Sequence, residues 1–268
     1  MATITKISIQ QKNKDRFNIF LDEKYAFSVD ADVLIKHELK KGMEIDEVFL
    51  SEIVYDDEIR KAYNSAIHYL ARRMRSEYEV RSYLLEKEYG EAIINEVIIK
   101  LYNYRFLDDT AFATSFVNTL INTTDKGPLI VRRELEEKGI NKNIIEQVMP
   151  LFDEDTQLTK AITIGQKYAN KNKKDAKLIL KQKVEQFLLR KGYSSSIMKE
   201  AIGEISIEKD DKEQYQLCFA QAKKLGFKYR AYEGYEWEQK VKQALYRKGF
   251  PLEIIDEVIK NKEVLLES

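Results

Sequence analysis

Apolar and polar residues alternate along the first 30 residues, whereas a helical period dominates beyond about residue 46. The alternation forms three runs, which contain Ile7, Ile19 and Phe27, and a period of two places one set of side chains on a single face of a strand. Polar connections at 11–15 and 22–24 separate the runs, so the pattern predicts an antiparallel β-meander. A sheet this small is marginal alone and needs another element to cover its apolar face.

A short helix is predicted to follow the third run. Asp30 can cap this helix, and Val33 and Leu39 supply its apolar side chains. Gly42 lies where a helix-ending residue with positive φ is expected. We therefore expect residues 1–48 to form a β-rich N-terminal region.

One ten-residue segment recurs in the helical part of the chain. Its copies are VRRELEEKGI at 131–140, VEQFLLRKGY at 184–193 and VKQALYRKGF at 241–250, and a weaker copy begins at Val80 with Glu88 in place of the glycine. Apolar positions keep the same register within and beyond each copy. A register kept at a spacing of about 50 residues is typical of a repeat protein.

The shared positions indicate how one repeat folds. A valine and a leucine four residues apart mark one face of a helix, and the glycine that follows suits the left-handed conformation at a helix end. We therefore expect positive φ at Gly139, Gly192 and Gly249. The next helix then begins at once. The predicted N-terminal caps are Asn141, Ser194 and the Ser76–Glu79 capping box.

A further helical segment precedes each helix pair, so one repeat consists of three helices. Because a lone bundle of about 50 residues is weakly stable, the repeats are expected to support one another in an extended, curved array. The predicted fold class is mainly α, with tandem three-helix repeats and a small N-terminal antiparallel β-meander. The predicted domains are the β-rich region at 1–48 and helical repeats at 49–108, 109–155, 156–208 and 209–268.

Candidate catalytic and metal-binding groups are scarce. Cys218 has no cysteine partner, and with His37 and His68 it cannot make up a zinc site. Asp108 and Asp109 are adjacent, but an aspartate ahead of an apolar helix is more often a cap than half of an acid–base pair. Neither a Walker A pattern nor a GxGxxG pattern is present. We expect a protein that is not an enzyme, without catalytic, cofactor-binding or metal-binding residues and without a cofactor.

The N-terminal segment MATITKISIQ lacks the apolar stretch of a signal peptide, and the chain has no apolar run of about 18 residues. These features, with the single cysteine, predict a cytoplasmic protein without a membrane partner. We also expect a monomer.

Charge is balanced overall but unevenly distributed. Lys plus Arg and Asp plus Glu both number 45, yet the segment at 157–200 is strongly basic. As a set the basic residues resemble a positive stripe that would attract phosphates or an acidic protein surface, although for each residue alone a solvated helix face is the favoured interpretation. The predicted partner-binding residues are Arg72, Arg73, Arg81, Arg132, Arg133, Lys181, Lys183, Arg190 and Lys191.

Aromatic and basic residues also interleave in KLGFKYRAYEGYEWEQ at 224–239. Such a pattern can stack on nucleic-acid bases. The favoured interpretation is structural, because the rings are needed to fill the small core of the fourth repeat.

Four segments in a fixed order resemble the RecX family of bacterial recombination regulators: LARRMRSEYEVRSYL, YRFLDDTAFATSFV, KGPLIVRRELEEKGI and KVEQFLLRKGY. The resemblance covers residues from about 60 to 205, and the β-rich start and a fourth repeat resemble the longer form found in Gram-positive bacteria. It implies a tandem three-helix protein that binds the RecA–DNA filament and restrains RecA's ATPase, strand exchange and repressor-cleavage activities. Members of the family are often strongly basic, and this chain is neutral.

Three functions are weighed on this basis. The favoured function is a non-catalytic regulator whose partner is RecA and the RecA–DNA filament. The alternative is a helical-repeat protein that binds single- or double-stranded DNA directly, and a third interpretation is a scaffold for another acidic protein.

Overall fold

The structure is a computed structural model that describes residues 1–11, 13–207, 210–261 and 265. It divides into two compact units. One unit comprises Met1–Phe116 and Leu135–Val148, and the other comprises Val117–Glu134 and Met149–Ser268.

An antiparallel sheet opens the first unit, as the alternation predicts. Ile7 of the first strand lies opposite Ile19 of the second, and Ile19 lies opposite Phe27 of the third. Ile4, Ile19 and Val29 are fully buried, so one face of the sheet forms a core. The strands are β1 (Ala2–Ile9), β2 (Arg16–Leu21), β3 (Lys24–Asp30) and β4 (Glu44–Ile45), in the order β3-β2-β1-β4.

The segment after β3 differs in detail from the prediction. Helix α1 (Ala31–Lys36) begins at the predicted cap Asp30, but it ends before Leu39, which is buried beyond the helix. The positive φ nearest the helix end belongs to Glu38, at 48°. Gly42 has the expected positive φ, 86°, yet it lies in the turn that leads to β4. Strand β4 itself was not predicted, because two residues show no alternation.

A single long helix, α2 (Glu47–Leu70), packs on both the sheet and the first repeat. Ile53 belongs to the core of the sheet, whereas Ile59, Ala62 and Ala66 belong to the core of the first repeat. The helix therefore provides the cover that the small sheet requires.

A buried ion cluster attaches the sheet to α2. The Asp57 carboxylate is 2.8 Å from both Arg16 Nη2 and Lys61 Nζ, and it accepts a hydrogen bond from the Asp30 amide at 2.8 Å. Burial raises the pKa of this carboxyl, but the hydrogen bonds outweigh burial and hold the pKa below its ordinary value. Sequence reasoning missed this cluster, because its members come from three separate elements.

The remaining helices follow one another in threes, as predicted. In repeat 1, α2 is followed by α3 (Glu77–Glu86) and α4 (Glu91–Asn103). Repeat 2 has α5 (Asp109–Thr123), α6 (Pro128–Glu137) and α7 (Lys142–Val148), with a 3₁₀ turn at Met149–Leu151. Repeat 3 has α8 (Glu154–Lys171), α9 (Lys177–Arg190) and α10 (Ser195–Glu204). Repeat 4 has α11 (Asp211–Lys228), α12 (Gly234–Arg247) and α13 (Leu252–Lys260).

The predicted backbone features of the repeat are confirmed. Gly139, Gly192 and Gly249 have φ values of 71°, 86° and 80°. Glu88, at the same position in repeat 1, has a φ of 64°. The Ser76–Glu79 capping box is present, Ser194 caps α10, and Asn141 accepts a hydrogen bond from the Asn143 amide.

The fold class is therefore mainly α, with tandem three-helix repeats and a small antiparallel sheet, as the sequence predicts. The predicted domain limits stay a prediction. Within the described ranges, no helix is long and apolar enough to cross a membrane.

Candidate partner-binding surface

The recurring glycine lies at a contact between consecutive repeats. We call this contact a junction: the start of the second helix in one repeat meets the glycine end of the second helix in the next. At the first junction, a side chain added at Gly139 would collide with Tyr78 near the start of α3. The Ser76 hydroxyl, which caps α3, donates a hydrogen bond to the carbonyl of Lys138 at 2.7 Å.

The second junction, between α6 and α9, is closed by backbone hydrogen bonds. The amide of Gly127 donates to the carbonyl of Lys191 at 2.6 Å, and the amide of Leu129 donates to the carbonyl of Gly192 at 3.1 Å. Amides at the start of α6 thus satisfy carbonyls at and just beyond the end of α9. A Cβ at Gly192 would lie 2.9 Å from the backbone nitrogen of Ile130.

The third junction, between α9 and α12, is open. A Cβ at Gly249 would lie 2.5 Å from Ile179 Cγ1, so the same two elements still meet. Among the residues that the structure describes, however, no backbone hydrogen bond joins the start of α9 to the end of α12. A cavity of about 210 Å³ lies there instead, and Lys174, Lys183, Arg247 and Lys248 line it with basic side chains.

A lysine precedes the glycine at every junction, but its electrostatic partner changes. Lys138 Nζ is 2.8 Å from Glu79 Oε1 at the first junction, and Lys191 Nζ is 3.7 Å from Asp125 Oδ2 at the second. Lys248 has no acidic partner within the described part of the chain. The positive charge is therefore uncompensated only at the third of these described junctions.

Three of the predicted partner-binding residues are exposed and have no acidic partner among the described residues: Arg72, Lys181 and Arg190. Lys181 and Arg190 are nine positions apart on α9, which places them on opposite sides of the helix at 3.6 residues per turn. They therefore do not form one stripe along that helix. Lys183 and Arg190, seven positions apart, lie on the same side.

The other predicted residues take part in contacts within the protein. The closest ion-pair distances join Arg73 to Glu79 at 2.8 Å, Arg81 to Glu77 at 2.6 Å and Lys183 to Asp175 at 2.7 Å, and Lys191 pairs with Asp125. Arg132 and Arg133 each make at least one further polar, ring or electrostatic contact. Exposed ion pairs of this kind are worth about 0–1 kcal/mol, so they do not prevent these side chains from binding a partner.

The aromatic segment of repeat 4 divides between core and surface. Trp237 is buried in the core of the repeat and Tyr229 packs against that core, as the structural interpretation predicted. Phe227 and Tyr235 are exposed, however, and the guanidinium of Arg230 lies 4.5 Å from the ring centre of Phe227. Helix position could have revealed this division, because Phe227 lies on the α11 side opposite to its buried face.

The adjacent aspartates serve helix starts. Asp108 accepts a hydrogen bond from the amide of Ala111, which is the cap interaction predicted for it. Asp109 accepts from the amide of Glu77 at the start of α3. Burial raises the pKa of the Asp109 carboxyl, and the nearby Glu77 and Asp108 carboxylates raise it further. No group of three or more His, Cys, Asp and Glu side chains that could hold a metal occurs within the described ranges.

Sequence reasoning missed the gathering of Lys174, Arg247 and Lys248 at the third junction. The signal was present, since the lysine before the glycine recurs in every copy. Its partner could not be read from the sequence, because the acidic residue lies in the preceding repeat at a different offset each time.

These features define a class: a tandem three-helix repeat protein preceded by a small β-sheet. Models of the regulatory protein RecX match the same parts of the chain. The N-terminal domain matches residues 2–46, the first three-helix domain 62–101, the second 108–149, and the third matches twice, at 155–202 and 211–259. The chain belongs to the RecX family, as its sequence motifs predict.

Full-length relatives and solved structures agree with this assignment. "Regulatory protein RecX" of Bacillus velezensis is 44% identical over 98% of this chain and 100% of the relative, and that of Bacillus subtilis is 43% identical over the same shares. A crystal structure of regulatory protein RecX is 37% identical with a TM-score of 0.69, and it covers 75% of this chain and 98% of its own. RecX from Lactobacillus salivarius is 35% identical with a TM-score of 0.55, covering 57% of this chain and 99% of its own.

Proposed function

We propose that this protein binds RecA–DNA filaments and restrains RecA's ATPase, strand exchange and coprotease activities in recombination and the SOS response. The observation that carries the proposal is the match, over nearly the whole chain, to proteins named regulatory protein RecX. A regulator without catalysis is consistent with the name of these relatives.

The basic surface supports a partner that presents phosphates or acidic side chains. The nine predicted residues are the proposed contact set, and Arg72, Lys181 and Arg190 are its most available members because they are exposed and lack acidic partners in the described chain. Charges of this kind act mainly on the rate of association rather than on the stability of the free protein.

The direct test is RecA's ATPase activity on single-stranded DNA, measured with substoichiometric amounts of this protein. We expect the rate of ATP hydrolysis to fall as the protein is added. An unchanged rate at every ratio would refute the proposed function.

A charge-reversal pair tests the contact set. Lys181→Glu with Arg190→Glu should weaken inhibition of the ATPase by about tenfold, since four units of charge change on an exposed helix. Lys223→Glu with Lys224→Glu is the matched control, because both lysines are exposed on α11 and belong to no proposed site. Equal inhibition by the two variants, at equal melting temperatures, would remove α9 from the contact set.

Direct binding to DNA is the second candidate function. The exposed Phe227 beside Arg230 and the exposed Tyr235 at the start of α12 favour it. If phosphate contacts dominate, the affinity for bare DNA should fall linearly with salt on logarithmic axes. If contacts with RecA dominate, binding should require RecA on the DNA.

A further inference from the structure

The cavity at the third junction concentrates positive charge. Lys174, Lys183, Arg247 and Lys248 line it, and Asp175 is the only acidic residue among its lining residues. Asp175 already pairs with Lys183 at 2.7 Å. Lys174, Arg247 and Lys248 have no acidic partner in the described part of the chain.

The start of α9 adds to this potential. α9 begins at Lys177 after Ala176, which provides no side-chain cap, and the Lys177 amide instead donates a hydrogen bond to the Gln214 side-chain oxygen at 3.3 Å. The aligned peptide dipoles of a helix still place partial positive charge at its start. Cationic side chains and a helix start therefore face the same space.

The size and lining of the cavity suit a small anion rather than an apolar ligand. At about 30 Å³ per water molecule, 210 Å³ corresponds to about seven waters, which leaves room for a phosphate group. Arg247 can form paired hydrogen bonds to a phosphate, and the lysines act as additional point charges. Ala176 and Phe250 supply a small apolar wall.

We propose that the third junction is a phosphate-binding site shared by repeats 3 and 4. Lys174 from repeat 3 and Arg247 and Lys248 from repeat 4 hold the phosphate, and Lys183 adds a fourth charge while it remains paired with Asp175. The phosphate belongs either to a nucleic-acid strand or to a free phosphate compound. This site goes beyond the regulation of RecA, because it gives the fourth repeat a ligand of its own.

The test removes the three unpaired charges without reversing them. The variant Lys174→Gln, Arg247→Gln, Lys248→Gln is compared with a matched variant, Lys199→Gln, Lys223→Gln, Lys224→Gln, whose lysines are exposed outside the cavity. Each variant removes three positive charges, so the two variants have the same net charge. Far-ultraviolet circular dichroism and the melting temperature establish that each is folded, and Arg247→Gln alone replaces the triple variant if that variant unfolds.

Two probes separate the sources of the phosphate. The first is a fluorescent single-stranded oligonucleotide, whose affinity is measured by anisotropy across a series of salt concentrations. The second is pyrophosphate, whose binding to the full chain is measured by calorimetry. Neither assay contains RecA, so a failure of the proposed regulatory function would leave both readouts intact.

For a strand phosphate, the junction variant should bind the oligonucleotide about fivefold more weakly or worse. The slope of log affinity against log salt should also decrease by about 0.7, while the matched variant stays near the parent. If pyrophosphate binding alone is lost, the site is supported and its ligand is a free phosphate compound. The proposal is overturned if the two variants change equally with both probes, or if neither differs from the parent.

Discussion

The second and third junctions share a lysine–glycine pair at the end of one helix, but one is closed and the other is open. The difference lies in the residue before the opposing helix. At the second junction that residue is Gly127, and a Cβ there would lie only 2.6 Å from both the carbon and the oxygen of the Gly192 carbonyl. At the third it is Ala176, whose Cβ prevents an equally close approach of the backbones. The repeated segment thus determines where two repeats meet. The residue before the opposing helix determines how closely their backbones approach.

The largest effect is expected from Gly127→Ala. The added methyl would collide with backbone atoms, which cannot rotate away, so we expect a loss of about 2–3 kcal/mol in the free energy of unfolding. Chemical denaturation measures the change. Gly203→Ala is the control, because a Cβ at that position of α10 meets nothing within 4 Å and alanine is the better helix former. A loss at Gly127 no larger than the effect at Gly203 would contradict the closed junction.

The next comparison replaces the two glycines themselves. Gly192→Ala and Gly249→Ala both place a side chain at positive φ, which costs about 1 kcal/mol in each case. At both positions the nearest neighbour of the methyl is the Cγ1 of an isoleucine, but the backbone nitrogen of that isoleucine is closer at Gly192, at 2.9 Å, than at Gly249, at 3.3 Å. We expect Gly192→Ala to lower the free energy of unfolding by about 1 kcal/mol more. Equal losses, measured by denaturation, would mean that backbone proximity is unimportant.

Glu79→Gln extends the comparison to the first junction, where Glu79 forms an ion pair with Lys138. Burial raises the pKa of the Glu79 carboxyl, but hydrogen bonds from Arg73, Lys138 and the Ser76 amide hold the pKa below its ordinary value. We expect the glutamine variant to lose about 1 kcal/mol at neutral pH, from weakened charge-assisted hydrogen bonds.

The pH dependence of the same variant gives a second readout. Because the folded-state pKa is lowered, the stabilisation from ionised Glu79 is complete above its unfolded-state pKa of about 4.3. It is lost as the pH falls through the folded-state pKa. The melting temperature of the parent should therefore decrease more steeply than that of Glu79→Gln below about pH 4.3. Parallel curves would show that Glu79 contributes no ionised-state stabilisation.

The smallest effect concerns the lysines before the glycines. Lys191→Gln removes a partly exposed ion pair with Asp125 and should cost up to about 0.5 kcal/mol more than Lys248→Gln. Both changes remove a positive charge at a helix end, so that contribution cancels in the difference. Melting temperatures at low salt measure this difference, which should shrink in 1 M salt because ions screen the Lys191–Asp125 pair. A greater loss from Lys248→Gln would imply an acidic partner at the third junction.

Local rules account for the parts of this fold that the sequence could predict. The glycines, the capping box and the Ser194 cap depend on residues within one helix turn, so a single segment contains the information for each. Asp57 and Lys61 are four residues apart on α2, which is the spacing of a helical ion pair. Arg16 reaches Asp57 from β2, however, and no local spacing rule connects these two residues.

The predicted binding residues illustrate the same limit. Counting charge along the chain identified the basic repeat 3, but it could not separate Lys181, which is exposed, from Lys183, which is paired with Asp175. It also left Lys248 out of the predicted set. The cavity brings Lys248 next to Lys174 across two repeats, and only the folded backbone shows that proximity.

The backbone at Glu88 has a consequence for the order of repeats in the chain. Glu88 adopts nearly the φ of the three junction glycines, and it is exposed. A helix end with positive φ therefore tolerates a side chain in the first repeat. Glycine becomes necessary there only when another repeat precedes it. The residue at this position, glycine or glutamate, therefore indicates whether another repeat precedes the repeat that contains it. A chain lengthened with a copy of repeat 1 at an internal place would need Glu88→Gly in that copy, whereas a copy of repeat 3 could be inserted unchanged.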